Sequence, residues 1–133
     1  MLIKILDDPA VKNSIAISLG AIVGSLSRYF LTLWFTQRFG VNFPYGTFFI
    51  NLTGTLGIGF CSGLFLHHVS LPPQLGLFIF VGFLGSYTTF STFALDTVQL
   101  VKNGQEYTAL LYWGGSGILG LMGVHLGTWL TRP

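Results

Sequence analysis

An all-helical integral membrane domain of four spans is the fold class that this sequence predicts, and three observations predict it. Only 8% of its residues are charged and 51% are hydrophobic. A water-soluble surface draws on about a quarter charged residues, so this chain lacks the means to coat itself for water. No Asp, Glu, Lys or Arg occurs from Phe39 to Leu95, nor from Tyr107 to Thr131, and such gaps hold the runs of roughly 20 apolar residues that cross a hydrocarbon core. The apolar runs are continuous rather than alternating, which selects helices over a barrel.

The first span is expected at Ser14–Phe35. It is too long for a cleavable signal peptide, carries Arg28 and lacks a small-residue cleavage site. The preceding 13 residues receive no assignment. Gln37–Pro44, with Arg38, Gly40 and Pro44, punctuates the chain before a second span at Gly46–His68. His67, His68 and the Pro72-Pro73 pair mark the next break, followed by a third span at Leu75–Val101. The turn dipeptide Asn103-Gly104 separates this from a fourth span at Tyr107–Leu130. Residues 1–133 read as one transmembrane domain without linker or repeat. Cys61 is read as a small buried packing residue. His67, His68 and His125 are too scattered for a metal set, and no nucleophile–base pair or phosphate loop is visible, so no enzyme chemistry is expected.

Charge placement bears on assembly. With four spans both termini share one side, where Lys4, Lys12 and Arg132 fall; Arg38 and Lys102 fall on the other, and Arg28 lies between. Excess Lys/Arg normally fixes orientation, and here the excess is close to nil, which allows insertion in both senses. Four single helices are too few to enclose a pathway and pack as well, so a dimer is expected. Gly20/Gly24, Thr55/Gly59/Gly63, Ser116/Gly120 and Gly123/Gly127 form faces where helix backbones can approach closely, within one subunit or between two.

The polar residues inside the spans carry the functional signal. Arg28 shares a face with Gly20 and Gly24, and a charge there either serves function and assembly or snorkels to the interface. Thr47, Asn51 and Thr55 form a stripe on one face of the second helix. The stripe is either interhelical glue or a row of donors suited to an anion. In the third span, Gly85-Ser86-Tyr87-Thr88-Thr89 combines a poor helix former with side chains that compete for backbone bonds. Either the helix bends there or it breaks. A break at that depth exposes carbonyls that suit a cation and amides that suit an anion. Phe90 and Phe93 follow at helical spacing, as packing or as positive ring edges aimed into a pathway. Asp96, close to the end of the third span, is read as a cap or interfacial group, leaving proton coupling without a relay.

Taken together, "GAIVGSLSRY", "GTFFINLTGTLGIG" and "GFLGSYTTFSTFALD" resemble the small fluoride channels called Fluc or CrcB, in order, over about residues 14 to 130. The resemblance implies a passive channel in the cell membrane that exports cytoplasmic fluoride and so confers fluoride resistance. It implies an antiparallel, dual-topology homodimer in the lipid bilayer, with two pores and no nucleic-acid partner. It further implies one structural sodium ion at the dimer centre, held by backbone carbonyls at Gly85 and Thr88. Asn51, Thr89, Phe90, Phe93, Tyr112 and Ser116 would line the fluoride path, and Arg28 would lie near its mouth. Two positions depart from the family pattern: Gly120 offers no hydroxyl after Ser116, and Ser86 stands where a second glycine is frequent. The rival readings are a proton-coupled small multidrug-type exporter, which would need a carboxylate in the first span, and a non-transporting membrane scaffold.

Overall fold

A computed structural model describes residues 8–67 and 70–133. Lys4 and His68, singled out in the sequence, lie outside the described residues.

The first helix, α1, spans Pro9–Phe39. It starts earlier than expected. Asp8 caps it, its Oδ1 accepting the Ala10 N–H at 2.8 Å, and proline at the first position suits a helix start. The segment before Ser14, unassigned from sequence, is therefore partly helix. At 31 residues α1 is roughly 45 Å long and exceeds the hydrocarbon core. It stops at Gly40, whose φ of 79° is left-handed and whose N–H returns to the Thr36 carbonyl at 2.9 Å.

Helix α2 spans Tyr45–His67. Pro44 stands just before it and accepts the Phe48 N–H at 3.0 Å. Helix α3 is a composite rod: an α-helical turn at Pro73–Gly76, a π-helical stretch at Leu77–Leu84, and a final α turn at Gly85–Tyr87. Thr88 and Thr89 are extended, and α4 runs from Phe90 to Lys102. A turn through Gly104, φ 73°, leads to α5 at Glu106–Trp129. The four stretches long and apolar enough to cross a membrane are Pro9–Phe39, Tyr45–His67, Pro73–Lys102 and Glu106–Trp129. The chain is a multi-pass membrane protein.

Two helix pairs dominate the packing, α2 on α5 and α1 on α3. Small residues bring each pair together. A Cβ at Gly20 or Gly24 would overlap backbone atoms of the Phe78–Phe83 stretch, and one at Gly59 or Gly127 would overlap backbone across the α2–α5 contact. The Gly20/Gly24, Gly59/Gly63 and Gly123/Gly127 faces seen in the sequence thus pack within one chain. Ser86, the departure from a double glycine, stands where α1 and α3 meet, its Oγ within 3.1 Å of the Ala21 carbonyl and 2.7 Å of that of Gly82.

Few apolar side chains among the described residues are buried: Ile50, Leu84, Tyr87, Leu100, Ala109 and Tyr112. The remaining apolar surface is outward, as expected where lipid replaces water. Cys61 is only half-buried, against the expectation of a buried packing thiol, because it lies off the glycine seam that α2 presents to α5.

Candidate functional site

The third span breaks at Thr88-Thr89, at the far edge of the segment that composition marked. Gly85 and Ser86 remain helical. The rod ends on the Leu84 carbonyl, which accepts both the Thr88 N–H at 3.1 Å and the Thr88 hydroxyl at 3.0 Å. Thr89, with φ −150° and ψ 115°, then caps α4 by accepting the Thr92 N–H at 3.2 Å on its hydroxyl. Its own hydroxyl proton goes to Thr92 Oγ1 at 2.9 Å.

Asn51 explains why the helix does not continue. Its Oδ1 accepts the Thr89 N–H at 2.9 Å while its Nδ2 donates to the Thr89 carbonyl at 3.1 Å. One side-chain amide thus pairs both backbone groups of one residue, as a neighbouring strand would. The Thr89 N–H is the group that would have closed the next helical turn on the Gly85 carbonyl. Turned to Asn51, it leaves that carbonyl without this donor. Among the described residues no group donates to the Thr88 carbonyl, and the Phe90 and Ser91 amides that open α4 find no acceptor. Carbonyls are therefore loose on one side of the break and amides on the other. This is the arrangement the sequence left open against a plain bend.

The break borders a groove of about 740 Å³ between α2, α3, α4 and α5. Asn51, Gly85, Thr88, Thr89, Phe90, Phe93 and Ser116 all reach it. Its walls are otherwise mostly apolar, with Ile58, Leu84 and Trp113 among them. Phe90 is 80% exposed, whereas Phe93 turns inward and packs at a tilt against Tyr112, ring centroids 5.1 Å apart. Ser116 Oγ is buried yet has no hydrogen-bond partner. An unpaired buried hydroxyl is rare and costs on the order of 1–3 kcal/mol.

Two sequence candidates lie elsewhere. Tyr112 is buried behind Phe93, and its hydroxyl donates to Asp96 Oδ2 at 3.4 Å. Arg28 is half-buried on α1, away from the groove, with no ion pair or hydrogen bond among the described residues. Of the two roles the sequence offered Asp96, a cap or an interfacial group, the structure removes the first. Asp96 lies well inside α4, half-buried, with Tyr112 and the Thr47 hydroxyl beside it. A capping role is excluded because the helix end, at Lys102, is further on. The Thr47/Asn51/Thr55 stripe thus serves three partners: Asp96, the break, and the close approach of α5 at Gly120 and Gly123. Asp96 was undervalued because its partners come from α2 and α5, and only the bend after Thr89 brings α4 between them.

Comparison with known proteins agrees with this architecture. The family model described as CrcB-like protein, Camphor Resistance (CrcB), matches residues 15–128. A protein of Trichormus variabilis named fluoride-specific ion channel FluC is 55% identical over 128 residues, covering 96% of this chain and 93% of that protein. Proteins of the same name from Synechococcus and Acidobacterium capsulatum are 47% and 45% identical, over 93% and 84% of this chain and 95% and 89% of their own lengths. A match this long, spanning every membrane helix and the break between α3 and α4, makes the chain a member of the CrcB family.

Proposed function

We propose that this protein is a passive, fluoride-selective channel that lets cytoplasmic fluoride leave the cell down its electrochemical gradient. One observation carries the reading: a helix broken at mid-span beside a groove that offers donors without a full positive charge. Amide hydrogens of Asn51 and the Phe90–Ser91 backbone, the Ser116 hydroxyl and the phenylalanine edges would each replace part of the ion's hydration. A lysine or arginine side chain on the fluoride path itself would bind the ion too tightly to release it. The relatives named as fluoride-specific channels support the same reading. With conduction as its activity, the protein is not an enzyme.

The working unit in this proposal is an antiparallel homodimer with two pathways. Non-helical backbone at membrane depth is tolerated only where protein or a water-filled cavity covers it. In the single chain, Gly85 and Phe90 are exposed beside the break, so a second copy would supply the cover. The near balance of Lys4, Lys12 and Arg132 against Arg38 and Lys102 suits insertion in both senses. Fluoride would then pass Asn51, Thr89, Phe90, Phe93 and Ser116, with Tyr112 supporting Phe93 from behind and Arg28 standing outside the groove.

The residues at the break also fit a hard cation. Oxygen ligands of the carbonyl type suit sodium, and the Gly85 and Thr88 carbonyls have been released from helical bonding by the break and by Asn51. One chain offers two such oxygens and its antiparallel mate would offer two more. When bound, the ion would supply positive charge that offsets the clustered carbonyl dipoles.

Reconstitution tests the whole reading. Vesicles loaded with fluoride and chloride should lose fluoride alone, as read by ion-selective electrodes, and Phe90→Ile should slow the loss. Fluoride-tight vesicles containing folded protein would refute the channel, and labelling of every amino terminus from one side would refute dual topology.

A further inference from the structure

Three consecutive residues at the break are each gripped by α2. Thr89 is held by Asn51, as described. Thr88 sits with its γ-methyl directly over Gly54, where any Cβ would overlap it. Tyr87, the last helical residue before the break, reaches Thr53: the two hydroxyl oxygens are 2.9 Å apart. Thr53 Oγ1 also lies 2.8 Å from the Phe49 carbonyl and 3.2 Å from that of Ile50, and a carbonyl can only accept. Its single proton therefore goes to its own helix, and the Tyr87 hydroxyl is the donor to Thr53. The ring is fixed as well. Tyr87 is buried and stacks on Phe83, centroids 5.6 Å apart and planes 10° from parallel.

We propose that Tyr87 is a positioning residue for the ion site at the break, acting through its hydroxyl on Thr53. Ser86 and Tyr87 are the two residues between the Gly85 and Thr88 carbonyls, and Tyr87 directly precedes Thr88. Rotation of its backbone would swing the Thr88 carbonyl directly. Stacking and burial hold the plane of the ring, and the hydrogen bond fixes its hydroxyl end on α2. The Tyr87 hydroxyl touches neither the groove nor the loose carbonyls, so its influence passes only through the backbone it pins. The inference rests on the sodium reading above.

The test uses purified full-length protein in detergent without fluoride. Thermal stability is followed as NaCl replaces N-methylglucamine chloride at constant ionic strength. The wild type should gain stability with a defined sodium midpoint. Tyr87→Phe, which keeps the stack, and Thr53→Val should each raise that midpoint about fivefold, the equivalent of one net hydrogen bond. The double variant should raise it no further than the larger single effect, because the two changes break one bond. Thr53→Ser, which restores the acceptor, should return the midpoint to the wild-type value. An unchanged midpoint in Tyr87→Phe, or additive single effects, would overturn the proposal. A second measurement separates it from the sodium reading: amide exchange in the Gly85–Phe93 segment should quicken about fivefold in Tyr87→Phe, with or without sodium. A wild type indifferent to sodium would sink the cation reading alone, and the exchange result would then decide the clamp: faster exchange upholds it, unchanged exchange overturns it.

Discussion

Replacing Asn51 by aspartate tests the break most directly, since it changes one atom of a side chain that touches both the backbone and the groove. The oxygen that accepts the Thr89 N–H at 2.9 Å survives. The nitrogen that donates to the Thr89 carbonyl at 3.1 Å becomes a second acceptor, so two oxygens face each other where a bond had been. Leaving that carbonyl unpaired costs on the order of 1–3 kcal/mol. The larger effect falls on the anion. A carboxylate about 4 Å from a passing fluoride, at an effective dielectric of about 20, raises its energy by about 4 kcal/mol. Hydration that halves this still leaves about 2 kcal/mol, so efflux should fall by thirtyfold or more. The assay is fluoride loss from liposomes at matched protein density, with gel filtration to show that assembly is intact. An aspartate variant that assembles normally and conducts within threefold of wild type would refute both the placement of Asn51 on the path and its hold on Thr89.

Further tests separate the pathway from the packing. Gly24→Val should destabilise the fold by about 1–3 kcal/mol, because its Cβ meets the Phe83 carbonyl and Ser86 Oγ; Gly76→Ala, with nothing within 4 Å, should not lower the melting temperature. Thermal unfolding checks both. Ser116→Ala removes a buried hydroxyl that bonds nothing, so stability should hold or rise while efflux drops about tenfold. A parallel loss of stability and efflux would assign Ser116 to packing instead.

Particular residues show how far the sequence alone could be read. The four spans were legible because the gaps in charge are long and the proline and glycine punctuation falls between them. The start of α1 was not, since the Asp8 cap and Pro9 lie among polar residues that carry no apolar period. Trouble in the third span was legible from Gly85 through Thr89, but local propensity did not single out one residue among the five. The structure puts the break at Thr88-Thr89 because an acceptor on another helix, Asn51 Oδ1, outbids the Gly85 carbonyl for the Thr89 amide. The polar stripe on α2 was visible, but its three separate partners were not, and the contacts of Asp96 with Thr47 and Tyr112 were hidden for the same reason.

Sequence by itself determined that the chain lives in a bilayer, crosses it four times and carries a weak point in its third crossing. Those properties are sums over local residues: hydrophobicity, charge spacing and helix propensity need no knowledge of neighbours. Tertiary structure decided which peptide groups are set loose, which hydroxyl is left unpartnered and which rings face the groove. The first depends on a donor and acceptor that Asn51 supplies from far away in the chain, and the other two on which helices come to lie side by side; a hydrogen bond acts over about 3 Å of space whatever the distance in sequence.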